Sequence, residues 1–422
     1  MTIASATLIA ETLGPDGTPA RARPTPRVLF VDDESRVLDG LKRLLRGVRC
    51  DWSMAFASDP RVALDILRDQ PFDALVTDMR MPLMDGAELL AKARDTRPDM
   101  ARIVLSGYSE RAAALRAVGL AHQFLAKPCD VATLRATVSR ACDLRALLHE
   151  AGLATMICRL GALPSLPKLH EAVSAETARA DVSMQRVAKI VAQDLGMTAK
   201  VLQLVNSAFF GLGRQVLDIE DAVGYLGVDI IRSLVVSNAA FTAFAPGQDT
   251  AFFERLWRHS WSTALLAQRI AELESGDALL QAESFQAGIL HDVGQLALAE
   301  RLPEDYRRVQ APAAIEQGSV TIRELKVVGA DHGRVGAYLM GLWGLSDRIV
   351  EAIAYHHRPR DCRVVEITPL TTVHAANAFV HAETGAHGAA ELDEGYLAAL
   401  GLAGRLAAWR SEARRILDGA AG

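Results

Sequence analysis

The sequence predicts an α/β domain built on a doubly wound parallel sheet, followed by an all-α helical-bundle domain. Three observations predict it. Short continuous apolar runs recur through the first third, each bounded by polar residues, which suits parallel strands covered on both faces. Helical patterns alternate with those runs from residue 27 to residue 128, as a doubly wound fold requires. From about residue 131 the strand signals fade and apolar residues recur at helical spacing instead.

At 422 residues the chain is too long for one ordinary core. Residues 1–25 carry Gly14-Pro15-Asp16-Gly17, Pro19 and Pro24 and read as a disordered leader. An α/β domain is expected over 26–145, a helical linker over 146–162, a helical domain over 163–362, and C-terminal helices over 363–422 that complete or cover the bundle. A net charge of -5 and a pI near 6.1 argue against broad nucleic-acid or membrane-surface binding. The stretch Arg21 to Arg27, with three arginines among prolines, reads as a tail rather than a patch. No apolar run is long enough to span a bilayer, and no charged region precedes the N-terminal apolar residues as in a signal peptide. Cys50, Cys129, Cys142, Cys158 and Cys362 show no paired spacing, so free thiols in a reducing cytoplasm are expected.

The apolar runs deliver chemistry. Val28-Leu29-Phe30-Val31 leads into Asp32-Asp33, and Ala74-Leu75-Val76-Thr77 into Asp78. Ile103-Val104-Leu105 leads into Ser106, and Phe124-Leu125-Ala126 into Lys127. Functional groups of open parallel sheets gather at the carboxyl ends of the strands. One edge therefore collects three carboxylates, a hydroxyl and an ammonium. Three carboxylates need a cation, and hard oxygen donors suit Mg²⁺. A carboxylate beside Mg²⁺ and a lysine can accept a phosphoryl group, because both neutralise the developing charge. Any one of these aspartates alone would read as a loop or helix cap; the ordered set is far more specific.

Val31-Asp32-Asp33-Glu34, Asp78-Met79-Arg80-Met81-Pro82-Leu83-Met84-Asp85-Gly86, Leu105-Ser106-Gly107 and Phe124-Leu125-Ala126-Lys127-Pro128 resemble the receiver domain of two-component response regulators. The resemblance covers residues 27 to about 145 and implies a five-stranded sheet. It makes Asp78 the phosphoacceptor. Asp33 becomes a direct Mg²⁺ ligand and Asp32 an indirect one, with the Arg80 carbonyl also on the metal. Ser106 would contact the phosphoryl group, Lys127 would pair with it, and Phe124 would follow the Ser106 shift. The Lys127-Pro128 bond resembles one that is cis in the family.

The helical half opens with Val131, Leu134, Val138, Ala141, Leu144 and Leu148 in a stripe that runs on through His149 toward Leu153. Leu163-Pro164-Ser165-Leu166-Pro167 breaks the chain. Helices follow over Met184 to Gln193 with Ser183 as N-cap, Met197 to Val205, Asp218 to Leu226, and Asp229 to Asn238. Gly211 and Gly213 mark a turn. Those proline-flanked residues resemble the front of the HDOD domain, an output module related to HD-domain phosphohydrolases. So do Asp194 before Met197-Thr198-Ala199-Lys200, Leu204-Val205-Asn206-Ser207-Ala208-Phe209-Phe210-Gly211, and Ala222-Val223 before Leu226-Gly227.

The second half carries His259, His291-Asp292, His332 and His356-His357, with His374 and Asn377 beyond. Apolar helices would bring dispersed imidazoles into one bundle interior, where metal sites are built. Imidazole and carboxylate donors suit Fe, Mn, Zn or Ni. In HD hydrolases ligands in this order activate a water against a phosphate ester. The hydrolase signature His-Asp-x-Gly-Lys reads His291-Asp292-Val293-Gly294-Gln295 here, so a neutral Gln295 replaces the lysine. Asn377 stands for the last Asp ligand, and no Gly-Tyr-Pro motif occurs. These losses count against catalysis without removing metal binding; taken singly, each histidine would read as a hydrogen-bonded core residue. His374 and His381 are expected to pack beside the site rather than ligate. Trp257, Trp261 and Trp343 read as core, Arg358 and Arg360 equally as an anion-attracting pair or a solvated loop, and Tyr396 to Leu417 as an amphipathic helix pair that covers the bundle or binds a partner.

The resemblances imply a response regulator whose Asp78 takes phosphate from a sensor histidine kinase or a phosphotransfer protein. The HDOD module would signal by contact with a downstream protein, and a receiver homodimer fits the family. Nothing in 150–422 places basic residues around a recognition helix, so DNA binding is not expected. The rival readings are a phosphorylation-gated metal phosphohydrolase or phosphodiesterase, and a non-catalytic metal or nucleotide sensor.

Overall fold

Apolar runs too short for helices and too continuous for one-sided burial become the strands of a parallel sheet. The computed structural model describes residues 25–46, 52–107, 116–144, 148, 151–160, 163–179, 181–207, 215–236, 241–243, 250–311, 318–362, 366–385 and 391–420. Most of the leader, Cys50, His149, the Ala208 to Gly213 stretch, and Ser237-Asn238 lie outside them. The first domain alternates β1 (Arg27–Val31), α1 (Ser35–Arg46), β2 (Ser53–Ala57), α2 (Pro60–Asp69), β3 (Ala74–Asp78), α3 (Gly86–Thr96), β4 (Ala101–Gly107), β5 (Gln123–Lys127) and α4 (Val131–Leu144). All strand pairs are parallel, in the order β2-β1-β3-β4-β5. Central β3 is buried throughout, as a strand covered on both faces must be.

Helices dominate the rest: α5 (Ala151–Cys158), α6 (Pro167–Ala178), α7 (Met184–Val191), α8 (Leu195–Val205) and α9 (Ile219–Val236) form a first half. Ser183 caps α7 by accepting from the Arg186 amide. Gly227, at φ +77°, interrupts α9 where the sequence reads two helices; only glycine takes that conformation without strain. The second half contains α10 (Thr250–Glu274), α11 (Ala278–Leu290), α12 (Val293–Arg301), α13 (Pro303–Gln310), α14 (Val320–Val327), α15 (His332–Leu342), α16 (Asp347–Tyr355) and α17 (Pro369–Thr384). Last come α18 (Glu394–Ala399) and α19 (Leu406–Ala420), which lies against α10 and α17. Among the described residues no helix is long and apolar enough to cross a membrane.

One expectation needs correcting. Leu163-Pro164-Ser165 does not merely break the chain: it forms a buried strand, β6 (Leu163–Ser165), parallel to β7 (Phe241–Ala243). Asp194 explains why such a short segment holds. Its carboxylate accepts from Ser165 Oγ (2.8 Å) and the Leu166 amide (2.9 Å) while capping α8 through the Met197 amide (2.9 Å). Periodicity cannot register a three-residue strand fixed by a carboxylate 29 positions away.

The two domains are in direct contact. Arg140 of α4 pairs with Asp347 of α16 (Nε–Oδ1 3.0 Å) and donates to the Leu345 carbonyl. Gln203 of α8 donates to the His122 carbonyl (2.8 Å), and Lys200 to the Val118 carbonyl (2.7 Å) with its ammonium 4.8 Å from the centre of the Trp343 ring. Arg102, buried in β4, donates to the Cys158 carbonyl (2.8 Å) and so ties α5 to the sheet. A cavity of about 280 Å³ lies in this junction, lined by Phe124, Arg140, Gln203, Asn206, Trp343 and Asp347.

Burial pushes the Lys200 ammonium down to about 7. The unfolded chain keeps that ammonium charged to about pH 10.4. Between about pH 7 and 10 the unfolded state therefore binds more protons, and stability rises with pH across that window. Thermal melts from pH 7 to 9 check this: the melting temperature of the wild type should climb relative to that of Lys200→Met, whose profile lacks this contribution.

Candidate functional site

At the carboxyl edge of the sheet, the strand order sets β1, β3, β4 and β5 side by side. Lys127 Nζ donates to Asp32 Oδ2 (2.7 Å) and to Asp78 Oδ1, bridging two carboxylates that are 2% and 6% exposed. Asp78 Oδ2 accepts from the Arg80 amide (2.8 Å), and Asp32 Oδ1 from the Glu34 amide (3.0 Å). Ser106 is fully buried on β4, one residue beyond the partner of Asp78, and pairs in register with Ala126. Asp33 is half-buried beside Asp32, and Phe124 is buried on β5. The Lys127-Pro128 peptide is cis. Gly86 closes the loop after Asp78: a Cβ there would collide with the Asp78 carbonyl.

Burial raises the Asp78 carboxyl above its usual range, and the Lys127 ammonium only partly offsets this. Burial opposes the Lys127 charge, yet hydrogen bonds to Asp32 and Asp78 outweigh it and hold the ammonium above its usual value. Two buried carboxylates share one ammonium, and a half-buried third, Asp33, follows Asp32 in the chain. The excess negative charge on oxygen donors fits a hard divalent cation such as Mg²⁺.

The second cluster lies at the centre of the helical domain. His259 comes from α10, His291 and Asp292 from the turn between α11 and α12, His332 from the start of α15, and His356 and His357 from the end of α16. Their donor atoms form two groups that share Asp292. In one, His259 Nε2 lies 3.2 Å from His291 Nε2, 3.7 Å from Asp292 Oδ2 and 3.0 Å from Asn377 Oδ1. In the other, His332 Nε2 lies 2.9 Å from Asp292 Oδ1, 3.4 Å from His356 Nε2 and 3.0 Å from His357 Nε2. A tetrahedral ion with bonds of about 2.0–2.2 Å sets its donors roughly 3.3–3.6 Å apart. Both groups lie close to that spacing, one on each oxygen of Asp292.

The ring orientations also fit. His291 Nδ1 lies 2.7 Å from the Gly288 carbonyl and His356 Nδ1 lies 2.8 Å from the Ile353 carbonyl. A carbonyl only accepts, so Nδ1 carries a proton in both rings, and in His356, which burial keeps neutral, Nε2 turns a lone pair inward. Burial pushes His259, His356 and His357 well below the usual imidazole range, so they stay neutral, as ligands must be. Burial opposes charge on His332 too, but Glu324 and Asp292 flank it and hold it well above the usual value. A cation in that place would take over the role of the proton between His332 and Asp292.

The sequence reading missed Glu324. Fully buried on α14, it accepts from His332 Nδ1 (2.7 Å) and from the His332 amide (2.8 Å). Tyr306 Oη lies 3.0 Å from both Glu324 Oε1 and Gln295 Oε1, so Gln295 joins this chain of hydrogen bonds. An acidic residue on a short helix carries no signal of its own; only its fit to His332 marks it. His374 is a clamp: Nδ1 donates to the His356 carbonyl (2.7 Å), and Nε2 accepts from the Asp393 amide (2.9 Å). The His381 ring lies tilted against that of His259, with centroids 4.2 Å apart. Arg358, half-buried, pairs with Asp331 (2.9 Å), and exposed Arg360 pairs with Asp393 (2.5 Å). Carboxylates that orient ligating histidines typically change metal affinity by about 10–100-fold. Glu324→Gln should weaken divalent-metal binding by roughly that factor, read by competition with a chromogenic chelator.

Comparison with known proteins finds two family matches in this chain. Residues 28–139 match the response regulator receiver domain, and residues 163–359 match the HDOD domain. An uncharacterized protein of Treponema pallidum (strain Nichols) is 26% identical over 204 residues, covering 48% of this chain and 39% of that protein. Response regulator MprA of Mycolicibacterium vanbaalenii is 37% identical over 127 residues, 29% of this chain and 51% of that one. The chain spans about a quarter to a half of the length of the curated relatives it matches. Among solved structures, the MmoQ response regulator of Methylococcus capsulatus str. Bath is similar at 22% identity and a TM-score of 0.43, covering 59% of this chain and 98% of that one.

Proposed function

Because this chain is a response regulator in which a receiver domain precedes an HDOD domain, we propose that Asp78 takes a phosphoryl group from a histidine kinase or phosphotransfer protein and that the HDOD module passes the signal on by protein contact. The observation that carries this reading is the Lys127 ammonium held between Asp32 and Asp78. Asp78 Oδ1 attacks phosphorus in line as the bond to the donor imidazole breaks. Lys127 stays at that oxygen and offsets the charge that spreads over the phosphoryl oxygens. Asp32, Asp33, Asp78 and the Arg80 carbonyl would hold Mg²⁺, which when bound supplies further charge neutralisation for the transfer. The Ser106 hydroxyl would then turn toward the phosphoryl group, and Phe124 would move into the space this leaves. Phe124 lines the cavity at the domain junction, so its movement would be felt where the receiver meets the helical domain.

The test compares wild type with Asp78→Asn, each with and without a low-molecular-weight phosphodonor and Mg²⁺. Partner capture or oligomeric state should change only for phosphodonor-treated wild type. Identical behaviour of the two proteins under both conditions would sink the reading.

A second reading concerns the helical domain and is favoured by the paired donor groups on Asp292. The site would hold Fe, Mn, Zn or Ni through His259, His291, Asp292, His332, His356 and His357. Such an ion, when bound, supplies Lewis acidity or a redox centre. Neutral Gln295 and Asn377 supply less charge than a phosphate ester and two ions call for, so metal binding without turnover is the form we favour. A homodimer and a cytoplasmic setting accord with this role.

A further inference from the structure

Two consecutive helices run between the histidine cluster and the receiver. α15 begins at His332, whose Nε2 lies 2.9 Å from Asp292 Oδ1. It ends at Leu342, next to Trp343, Gly344 and Leu345. α16 begins at Asp347 and ends at Tyr355, immediately before His356 and His357. Every one of the three histidines of the second donor group therefore sits at one end of this hairpin. The other end meets the receiver: Arg140 holds Asp347 (3.0 Å) and the Leu345 carbonyl. Leu144 presses so closely on Gly341 that a Cβ there would lie 2.7 Å from its methyls, and Gln123 lies against Gly344.

Helices of 11 and 9 residues span about 16 and 14 Å at 1.5 Å per residue. They do so with little slack. In α15, ten of the 11 residues, all but Arg334, are buried. A close-packed helix shifts as a unit rather than deforming along its length. A displacement at Arg140 or Leu144 is therefore delivered at His332, His356 and His357.

We propose that this hairpin couples the receiver to the histidine centre, so that phosphorylation at Asp78 and metal affinity at Asp292, His332, His356 and His357 regulate each other. The proposal rests on the reading of that cluster as a metal site. In the docked arrangement the donors already stand near ligand spacing, so the docked state is the one that binds metal well. Moving the receiver off the hairpin weakens the metal, and by linkage the metal opposes the phosphorylated state to the same degree.

The test uses the full-length protein in excess Mg²⁺, with Zn²⁺ as the probe and beryllium fluoride as the phosphoryl mimic. Zn²⁺ affinity is read by chelator competition, and mimic binding is read separately at the receiver. Wild type should lose Zn²⁺ affinity by roughly 5- to 150-fold when the mimic is bound, the usual span of coupling between sites. Arg140→Ala and the milder Asp347→Asn should already bind Zn²⁺ more weakly without the mimic, should retain mimic binding, and should lose little further Zn²⁺ affinity when the mimic is bound. Unchanged Zn²⁺ affinity in mimic-bound wild type would overturn the coupling, as would a full shift in both variants. Failure of wild type to bind Zn²⁺ at all, with mimic binding intact, would overturn the metal reading and the coupling with it.

Discussion

Asp292→Ala is expected to empty the helical domain of metal. Asp292 is the one residue common to both donor groups, offering Oδ2 toward His259 and His291 and Oδ1 toward His332 and His356. Its carboxyl is held well below the usual range: burial opposes the charge, but His291 and His332 outweigh it. Removing it leaves a ring of imidazoles with no anionic donor in first contact, and a buried dication without a counter-charge is costly. The expected result is near-stoichiometric Fe, Mn, Zn or Ni in wild type purified without chelators, and background metal in Asp292→Ala, both by elemental mass spectrometry. Circular dichroism separates metal loss from unfolding. Equal metal in the two proteins would place the ion elsewhere.

Lys127→Ala is expected to slow phosphoryl transfer to Asp78 by about 10²-fold or more, the scale seen when one aligned charge-stabilising donor is removed from a reacting centre. A further consequence is structural. Without the ammonium, Asp32 and Asp78 face each other buried and uncompensated, and breaking a buried pair in this way typically costs about 3–5 kcal/mol. Because Lys127 is itself about a third exposed, the lower end or less applies here. Added Mg²⁺ should restore part of the stability and little of the rate. Phosphate incorporation by intact-protein mass spectrometry and urea unfolding at several Mg²⁺ concentrations read the two effects separately.

How much of this was legible in the sequence depends on whether the signal is local. The strands were legible because Val28 to Val31, Ala74 to Thr77 and Ile103 to Leu105 are short continuous apolar runs bounded by polar residues, which suit a doubly covered sheet. The residues that follow them were legible because parallel strands deliver their carboxyl ends to one edge. The break at Gly227 was legible as well. The histidines stood out as residue types, but their division into two groups on Asp292 did not, because α10, α11, α15 and α16 meet only through tertiary packing. Glu324, Tyr306 and the β6–β7 pair were invisible for the same reason. So was the domain junction: Arg140 and Asp347 are 207 positions apart, and neither is unusual on an amphipathic helix.

The most direct measurement is amide hydrogen exchange on the full-length protein across that junction, with wild type and Asp78→Asn each treated with a phosphodonor and Mg²⁺. Exchange should change in α4, around Arg140 and Leu144, and in α15 and α16 of phosphorylated wild type, and should stay unchanged in Asp78→Asn. Phosphorylated wild type whose exchange in those three helices equals that of the unphosphorylated protein would contradict the proposal that the receiver signals through its contact with the helical domain.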